Sequence, residues 1–511
     1  MTASSFPVLS ALIFFPLAAS LALLVAKSEE AVRRLTLAAG LAEIALALPL
    51  AGFDLASGGF QFVEKASWVP QGGLPYHLGI DGISLLMILL TVALLPLCVL
   101  CSWHYISRRI KEFHIVLLLM TSACVGVFVA LDFVLFYLFW EAMLVPMYLL
   151  IAVWGGPNKR YASIKFFLYT LAGSTLLLVA IIAFYAAGGT FSIPELMTKT
   201  FSPRLQFWAF LAMALAFAIK CPMFPFHTWL PAAHVEAPTA GSVLLASELL
   251  KMGTYGFLRF CMPLTPDACV TFAPLMIALS LASILYGGVI ALGQKDMKKL
   301  IAYSSVGHMG FVTLGIFLFS QRGVEGAVMQ MLNHGITTGG LFMLVGAAYE
   351  RSHSREISEN MGLGKYLPAY MFFFGLFSLS SLGFPGTNSF VGEALVLVGA
   401  FQESLLVGGL AIPGAMLAAA YMLRLLQKLA WGEPSKGAKF TDLCPREWIY
   451  LAPLAVFVLY IGLAPTLTLK VMDPSIDKLL KDFSARTEFA ATARPINLAH
   501  TPVMNGKEAN Q

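Results

Sequence analysis

The sequence predicts an all-α polytopic membrane protein, from its composition, its repeated apolar runs and the placement of its basic residues. The chain has 511 residues, of which 58% are hydrophobic and 12% are charged, and its mean hydropathy is +0.79. A soluble protein would carry roughly twice that charged fraction. Apolar runs of about 20 residues recur, and each is long enough to cross the hydrocarbon core as a helix. Open strands are excluded inside lipid, because their backbone polar groups would stay unpaired there.

The apolar runs give about fourteen predicted spans. The first follows Met-Thr-Ala-Ser-Ser without a basic n-region or a small-residue cleavage site, so we expect a retained helix and not a signal peptide. The spans are 6–26, 32–53, 79–103, 113–131, 133–154, 162–187, 205–232, 237–262, 271–293, 300–320, 325–349, 370–398, 405–430 and 447–470.

Basic residues are divided unequally between two sets of loops. The loops after odd-numbered spans contain 19 of the 33 Lys and Arg residues, whereas those after even-numbered spans contain only Lys65, Lys199, Arg204 and Arg322. By the positive-inside rule, the odd-numbered loops are cytoplasmic and both termini lie outside. The formal net charge of +5 therefore reflects membrane topology and indicates no nucleic-acid partner.

The cysteines and glycines indicate no cofactor site in this chain. Cys98 and Cys101 form a CxxC, but within the apolar run LPLCVLCSW, where small packing residues are far more common than a redox or metal pair. Iron–sulfur spacing, a haem-attachment CxxCH, a Walker loop and a GxGxxG after a strand are not found. We therefore expect no redox cofactor, nucleotide or metal here.

A small set of ionisable residues remains at membrane depth once the loops are set aside. A charge at a helix centre costs about 2.5–3.5 kcal/mol even on insertion scales, so such residues usually face a partner or water. Several in one bundle suggest an ion or proton path, and the alternative is a set of ion pairs that only fixes helix packing. The residues are Glu141, Lys220, Glu248, Lys251, His308, His334 and Glu393.

Glu141 is the only charge in LDFVLFYLFWEAMLVPMYLLI after its first two residues. Tyr137 and Tyr148 lie four residues before it and seven after it, so all three are predicted on one helix face. Pro146 removes the hydrogen bond to the carbonyl of Ala142, which exposes a backbone acceptor next to the carboxylate. The segment thus presents one polar face.

Lys220 lies in AFAIKCPMFPFHTWLP. Pro222 and Pro225 are predicted to free the carbonyls of Ala218 and Cys221 around the ammonium group. A broken helix is tolerated in a membrane where it lines a polar cavity. This segment is therefore the strongest physical indication of a transport site.

The later charges suggest a repeated design. Lys251 lies near the middle of the next span, with Glu248 three residues earlier as a possible counter-ion. A second break occurs in SLSSLGFPGTNSFVGEALVL, shortly before Glu393. Two broken helices five spans apart predict two five-helix repeats of opposite orientation, spans 4–8 and 9–13.

His308 and His334 lie in the two spans between the breaks. Each is either a hydrogen-bonded packing residue or a proton relay, because a histidine titrates near neutral pH and exchanges protons at both ring nitrogens. Two central lysines argue against a cage of oxygens for an alkali ion. Moving a carboxylate relative to a buried lysine can load or release a proton, so the sequence favours proton transport.

Four segments closely resemble the proton-translocating, antiporter-like membrane subunits of respiratory complex I. They are DFVLFYLFWEAMLVPMYLLIAVWGG, AIKCPMFPFHTWLPAAHVEAPTAGSVLLASELLKMGTYGFLRF, KDMKKLIAYSSVGHMGFV and FPGTNSFVGE. HLGIDGISLLMILLT and YIGLAPTLTL fit as well, so the resemblance covers nearly all of 75–470. It implies fourteen helices, two inverted five-helix repeats, two discontinuous helices and a mid-plane line of charges. The implied division is 1–112, helices 1–3; 113–262, first repeat; 271–430, second repeat; and 431–511, last helix and tail.

The resemblance implies roles for the first three buried charges. Glu141 matches the fifth-helix glutamate that modulates the proton affinity of the lysine matching Lys220. Lys251 matches the lysine that links two half-channels. Glu141 would also face the adjacent pump subunit, at the beginning of the line of charges.

The remaining buried groups are matched less evenly. Glu393 matches the twelfth-helix glutamate that one subunit type carries where its relatives have lysine. His308 and His334 match positions proposed as connecting relays. Glu248 departs from the family pattern, so we expect it either to tune Lys251 or to act as a further relay.

The resemblance also implies a parent complex. The chain would be a proton-pumping subunit of NADH–quinone oxidoreductase in the bacterial cytoplasmic (inner) membrane. NAD, FMN, iron–sulfur clusters and quinone would belong to other subunits, and the partners would be lipid and membrane subunits on both sides, in a hetero-oligomer. Two alternatives remain open: a subunit of a multi-subunit cation/proton antiporter or membrane-bound hydrogenase, and a passive membrane scaffold.

Overall fold

The computed structural model describes residues 6–69, 74–431 and 441–487. Helices dominate this part of the chain, which confirms the all-α polytopic fold class. Ten helices in it are long and apolar enough to cross a membrane. The number fourteen stays a prediction, because four predicted spans coincide with helices that are broken or more polar: 205–232, 237–262, 325–349 and 370–398.

The first part of the chain contains three N-terminal helices, a β-hairpin and the helices around Glu141, Lys220 and Lys251. The elements are α1 Val8–Val25, α2 Glu29–Ala47, β1 Gln61–Val69, β2 Leu74–Ile80, α3 Gly82–Cys101, α4 Ile110–Val129, α5 Phe133–Ala142, α6 Leu144–Trp154, α7 Lys159–Gly188, α8 Ile193–Leu196, α9 Pro203–Lys220, α10 Trp229–Glu236, α11 Thr239–Leu244, α12 Leu250–Gly256 and α13 Met262–Leu264. The π-helical segments Leu245–Leu249 and Phe257–Cys261 join α11, α12 and α13 into one continuous helix, 239–264.

The described residues of the second part contain eight α-helices. They are α14 Pro266–Leu292, α15 Met297–Phe317, α16 Gln321–Ser352, α17 Pro368–Ser381, α18 Asn388–Glu403, α19 Leu405–Trp431, α20 Pro445–Leu463 and α21 Thr466–Arg486. Both predicted breaks are present, between α9 and α10 and between α17 and α18. The division into repeats stays a prediction.

Acidic side chains begin several of these helices. The Asp81 carboxylate accepts a hydrogen bond from the Ser84 amide, 2.9 Å away, at the start of α3. Asp132 accepts from the amides of Val134 and Leu135 at the start of α5. Such caps satisfy amides that have no partner within the helix, so they fix where each span begins.

The loops lie on two faces of the bundle. Loops after odd-numbered spans meet on one face, the basic side, where the Gly156 amide donates to the Glu236 carbonyl. Loops after even-numbered spans meet with the β-hairpin on the opposite face, the hairpin side, where the Leu131 amide donates to the His77 carbonyl. The alternation agrees with the predicted topology, and which face is cytoplasmic stays a prediction.

The structure corrects two predicted spans. The span 79–103 begins too early, because β2 continues to Ile80 and α3 starts after the Asp81 cap. The hairpin was not predicted. It does not contradict the exclusion of open strands, because that exclusion applies only inside lipid. The span 447–470 ends too late, because the helix stops at Leu463 and α21 starts after Pro465.

The most buried helices lie at the centre of the bundle. Every residue of α16 from Gly323 to Ala348 is buried, and so is almost all of the helix 239–264. By contrast, more than half of the residues in the most apolar 18-residue stretches of α1, α7 and α19 are not buried inside the protein. The groups at Lys251 and His334 therefore lie deep inside protein, away from lipid.

Candidate proton-translocation site

Glu141 is placed at an interruption in its helix. The predicted single span 133–154 consists of α5 and α6, which are separated by a turn at Met143 two residues beyond Glu141. Pro146 follows in the first turn of α6 and cannot donate to the Ala142 carbonyl. The interruption therefore lies next to Glu141, and it was not predicted from the sequence.

One of the two predicted tyrosines lies beside Glu141. The Tyr137 side chain adjoins both Glu141 and Ser174 of α7. Tyr148 instead packs edge-on against Phe167, with ring centroids 5.8 Å apart. The polar face at Glu141 is thus completed by a neighbouring helix and not by Tyr148.

Lys220 is the last residue of α9 and is only 1% exposed. Its Nζ lies 5.0 Å from the centroid of the Trp140 ring and has no hydrogen-bond partner among the described residues. A cation over an indole face gains most when it is desolvated. Lys220 is therefore held beside an aromatic ring and not in a direct ion pair with Glu141.

The break after Lys220 satisfies its own backbone groups. The Ala218 carbonyl accepts a hydrogen bond from the Met223 amide at 2.9 Å, and the Trp229 indole donates to the Ile219 carbonyl at 2.8 Å. The Ala218 carbonyl is consequently not free for the ammonium group, contrary to the prediction. The reason is that the chain turns back immediately after the first proline, which brings a later amide to it.

The Glu248 side chain accepts a hydrogen bond from the neighbouring helix α3. It lies in the π-helical segment Leu245–Leu249, and a π turn contains an extra residue that rotates the side chains around it. Its Oε2 accepts a hydrogen bond from the Thr91 hydroxyl on α3 at 2.7 Å. Glu248 forms no direct ion pair with Lys251 among the described residues, so its role as a counter-ion stays a prediction.

Lys251 connects the helix 239–264 to α16. Its ammonium group donates to the Ala246 carbonyl, and its Nζ is 2.7 Å from Nδ1 of His334. Both side chains are fully buried. Nδ1 of His334 therefore accepts a proton or a hydrogen bond from Lys251, while its Nε2 has no partner among the described residues.

A second pair of groups follows directly. The rings of His334 and His308 have centroids 5.7 Å apart, and Nδ1 of His308 is 2.8 Å from Oε1 of Glu393. Gln330 also donates to Oε1 of Glu393, at 3.1 Å, and the Ser381 hydroxyl is 3.4 Å from Nε2 of His308. The predicted relay histidines are thus brought together with Glu393.

The second helix break supports the Glu393 carboxylate. Gly383 has φ +74° and Gly386 has φ +91°, conformations that glycine adopts without steric cost. A Cβ atom at Gly383 would lie 2.9 Å from Oε2 of Glu393. The glycine therefore lets the loop between α17 and α18 pass close to the acid.

The predicted residues fall into two groups. The connected half consists of Lys251, His334, His308 and Glu393, which are joined by close contacts. The open half consists of Glu141 and Lys220, which have no direct contact.

Three uncharged side chains at the site were missed by sequence reasoning: Thr91, Trp140 and Gln330. Each contacts a predicted charged residue on another helix: Thr91 contacts Glu248, Trp140 contacts Lys220 and Gln330 contacts Glu393. Residues of these types are common in membrane helices, so nothing in the sequence distinguishes them. The packing of the helices alone identifies them.

Several further ionisable residues were also missed, among them His227, His234 and Glu43. His227 and His234 follow Lys220 at intervals of seven residues, and neither has a ring-nitrogen partner in the described part of the chain. The His234 ring stacks on Phe342, with centroids 4.5 Å apart. Glu43 in α2 is fully buried, and both of its carboxylate oxygens lack a described partner. A complete inventory of membrane-depth histidines and acids would have found all three.

The chain matches known proteins over most of its length. NADH-quinone oxidoreductase subunit M of Rhodobacter capsulatus is 48% identical over 453 residues, which cover 86% of this chain and 88% of that protein. A chain of respiratory complex I from Thermus thermophilus with bound NADH is 32% identical, with a TM-score of 0.85, over 92% of this chain and 99% of that one. A chain of the Mrp complex from Dietzia sp. DQ12-45-1b has a TM-score of 0.81 at 23% identity, over 93% of this chain and 51% of that one, which shows the fold alone. The transmembrane family of NADH:quinone oxidoreductase and Mrp antiporter subunits matches residues 130–418, and this chain belongs to it.

Proposed function

We propose that this chain is the proton-pumping, antiporter-like membrane subunit of a bacterial NADH–quinone oxidoreductase. The observation that carries the proposal is the connected half, in which Lys251 contacts His334 and His308 contacts Glu393 at 2.7 and 2.8 Å. Each of these groups can hold and release a proton. The identity to subunit M, the glutamate at 393 and the match to complex I support the parent complex.

The open half loads the pump in this proposal. Lys220 is buried without a hydrogen-bond partner among the described residues, so its charge depends on nearby acids. When the Glu141 carboxylate approaches, the ammonium form is favoured, and when it withdraws, burial favours release of the proton. The half-buried position of Glu141 at a helix break gives it room for that movement.

The connected half then carries the proton. Lys251 delivers it to Nδ1 of His334, and the unpartnered Nε2 of His334 passes a proton on towards the ring of His308. His308 and Glu393 share the last proton across their 2.8 Å contact. A histidine accepts a proton at one nitrogen and releases one at the other, so the relay returns to its starting state.

The parent complex supplies the energy. We infer that NADH oxidation, with FMN and iron–sulfur clusters, and quinone reduction occur in other subunits, and that this chain contacts membrane subunits on both sides. Leu138 and Val145 flank Glu141 and are 43% and 56% exposed. Glu141 therefore lies near the rim of the bundle, where an adjacent pump subunit would influence its charge.

The alternatives are distinguished by separate observations. A chain of an Mrp complex shares the fold, and genes for small antiporter subunits beside this gene would favour a cation/proton antiporter or hydrogenase. A passive scaffold would pair its buried charges. Lys220 and Oε1 of Glu141 instead have no described partner, which is costly in a membrane unless it serves a function.

The test uses the assembled complex in proteoliposomes, with Glu141→Ala or Lys220→Ala. We expect assembly to persist and the pumping rate to fall to roughly a tenth or less, the usual effect of removing a proton-transfer group. Lys365→Ala, in an exposed basic-side loop, is the matched control and should pump normally. Intact pumping by assembled Lys220→Ala would overturn the proposal.

A further inference from the structure

A second row of polar side chains leaves the line of charges and runs towards the hairpin side. It lies where α3 and the helix 239–264 pass each other in opposite directions, and we call it the polar seam. Three pairs form it, one from each helix. From the middle of the bundle to the hairpin side, the pairs are Thr91–Glu248 at 2.7 Å, Ser84–Tyr255 at 3.0 Å and Asp81–Arg259 at 2.6 Å.

Spacing and contacts keep these side chains on facing stripes. Positions 91, 84 and 81 are separated by seven and three residues, which places them on one face of α3 and its N-cap, and each contacts one residue of the helix 239–264. All six side chains are buried. Six aligned polar groups are expensive in a membrane bundle, so such a row indicates a path for polar species or protons.

Arg259 closes the seam at the hairpin side. Its guanidinium group binds Asp81 and donates to the Tyr255 hydroxyl at 3.1 Å and to the Ser84 hydroxyl at 3.2 Å. The ring of Phe60 covers it, with the centroid 4.9 Å from Cζ. An arginine keeps its charge at every accessible pH, and a fixed cation in a narrow path repels protons.

Lys251 lies along the helix between Glu248 of the first pair and Tyr255 of the second pair. It precedes Tyr255 by one helical turn, and its ammonium group now points to Ala246 and His334. The facing positions of α3 at this level, Met87 and Ile88, are fully buried and apolar. The seam is therefore interrupted in this structure at the level of Lys251 and again at Arg259.

We propose that the polar seam is a second proton exit, leading from Lys251 to the hairpin side, and that the Asp81–Arg259 pair is its gate. This inference rests on the proposed function. A proton leaves the Lys251 ammonium group, which becomes the neutral amine. The hydroxyls of Tyr255 and Ser84 each give up one proton as they gain another. The proton reaches the Asp81 carboxylate when Arg259 moves away, and it leaves from there.

The test measures passive proton flux through the assembled complex in vesicles, under an imposed pH gradient and without NADH. Arg259→Met removes the gate but keeps Asp81, Ser84 and Tyr255. We expect about a tenfold higher flux, which corresponds to a barrier lowered by roughly 1.4 kcal/mol. Because no turnover is needed, a failure here is distinguishable from a failure of the pumping proposal.

A double variant tests the route itself. Adding Tyr255→Phe to Arg259→Met removes one relay hydroxyl, and the flux should return close to the wild-type value. Arg351→Met is the matched control, because Arg351 forms an equally short, partly buried ion pair with Glu447 on the basic side, outside the seam. Its flux should stay at the wild-type level.

Two results would overturn the proposal: an assembled Arg259→Met complex without extra flux, or extra flux that Tyr255→Phe leaves unchanged. If Arg259→Met fails to assemble, Arg259→Gln provides the same measurement, because the amide keeps a hydrogen bond in the seam but has no charge. It should also raise the flux, by a smaller factor.

Discussion

The open half and the connected half contain the same kinds of ionisable groups in different surroundings. In the connected half, Lys251 touches His334, and His308 touches Glu393. In the open half, Lys220 rests beside Trp140, and Oε1 of Glu141 has no hydrogen-bond partner among the described residues. The connected half thus has hydrogen-bonded contacts at both ends, whereas the two charges of the open half have no direct contact.

This difference indicates a division of labour. A joined row equilibrates protons quickly but cannot by itself give direction. A pair of charges that changes its separation can impose direction, because moving the Glu141 carboxylate changes the proton affinity of Lys220. Substitutions in the open half should therefore affect the control of pumping, and those in the connected half should affect conduction.

The largest effect is expected for Lys220→Arg. Arginine keeps the positive charge and stacks well on an indole ring, but it cannot release its proton in a protein. Pumping in proteoliposomes should fall to roughly a tenth or less while assembly persists. Lys365→Arg is the control. Normal pumping by Lys220→Arg would mean that only a fixed charge is needed, as in a scaffold.

The next largest effect is expected at His308, whose ring lies between His334 and Glu393. His308→Gln keeps hydrogen-bonding capacity but removes the titrating group, so we expect a lower pumping rate than in the wild type but a higher one than in Lys220→Arg. His353→Gln replaces an exposed histidine at the end of α16 and should have no effect. Equal rates for the two variants would show that His308 serves only in packing.

A smaller effect is expected at the second helix break. Gly383→Ala places a Cβ atom 2.9 Å from Oε2 of Glu393 and strains a left-handed backbone by about 1–2 kcal/mol. Pumping and thermal stability of the complex should both decrease moderately. A Cβ atom at Gly375 of α17 would meet nothing within 4 Å, so Gly375→Ala is the control. An unchanged rate in Gly383→Ala would show that the position of Glu393 is not critical.

The smallest effect is expected for Thr91→Val, which removes one hydrogen bond to Glu248 at constant volume. A net loss of about 1 kcal/mol is usual for such a bond, and the proton affinity of Glu248 should change with it. The pH profile of pumping measures that change. Thr121→Val is the control, because the Thr121 hydroxyl bonds only the Leu117 carbonyl of its own helix. Identical profiles would exclude Glu248 as a relay.

The sequence located the helix breaks after Lys220 and before Glu393, and the structure brings the residues of the connected half together, whereas their part in proton transfer stays a prediction. Prolines and glycines interrupt helices through local chemistry, so the breaks after Lys220 and before Glu393 could be located without any structure. Ionisable residues are rare in membrane helices, so those inside an apolar run can be recognised as candidates from the sequence. These features depend on a few neighbouring residues, and a sequence contains that information directly.

The contacts between helices could not be predicted in the same way. Glu248 accepts a hydrogen bond from Thr91 of α3, a contact that the spacing of residues along its own helix does not indicate. The partner of Lys220 is the ring of Trp140, although a carboxylate lies one residue further on. Helix phase and packing set these contacts, and neither follows from the spacing of residues along one helix.

The π-helical segment before Lys251 also supplies a backbone acceptor for the lysine. The Ala246 carbonyl belongs to that segment and binds the ammonium group. A carbonyl dipole attracts a cation without the full charge of an acid, so the neutral amine leaves no orphaned anion behind it. A widened turn of backbone thus holds the ammonium group through a carbonyl dipole and a histidine nitrogen, and not through a direct ion pair.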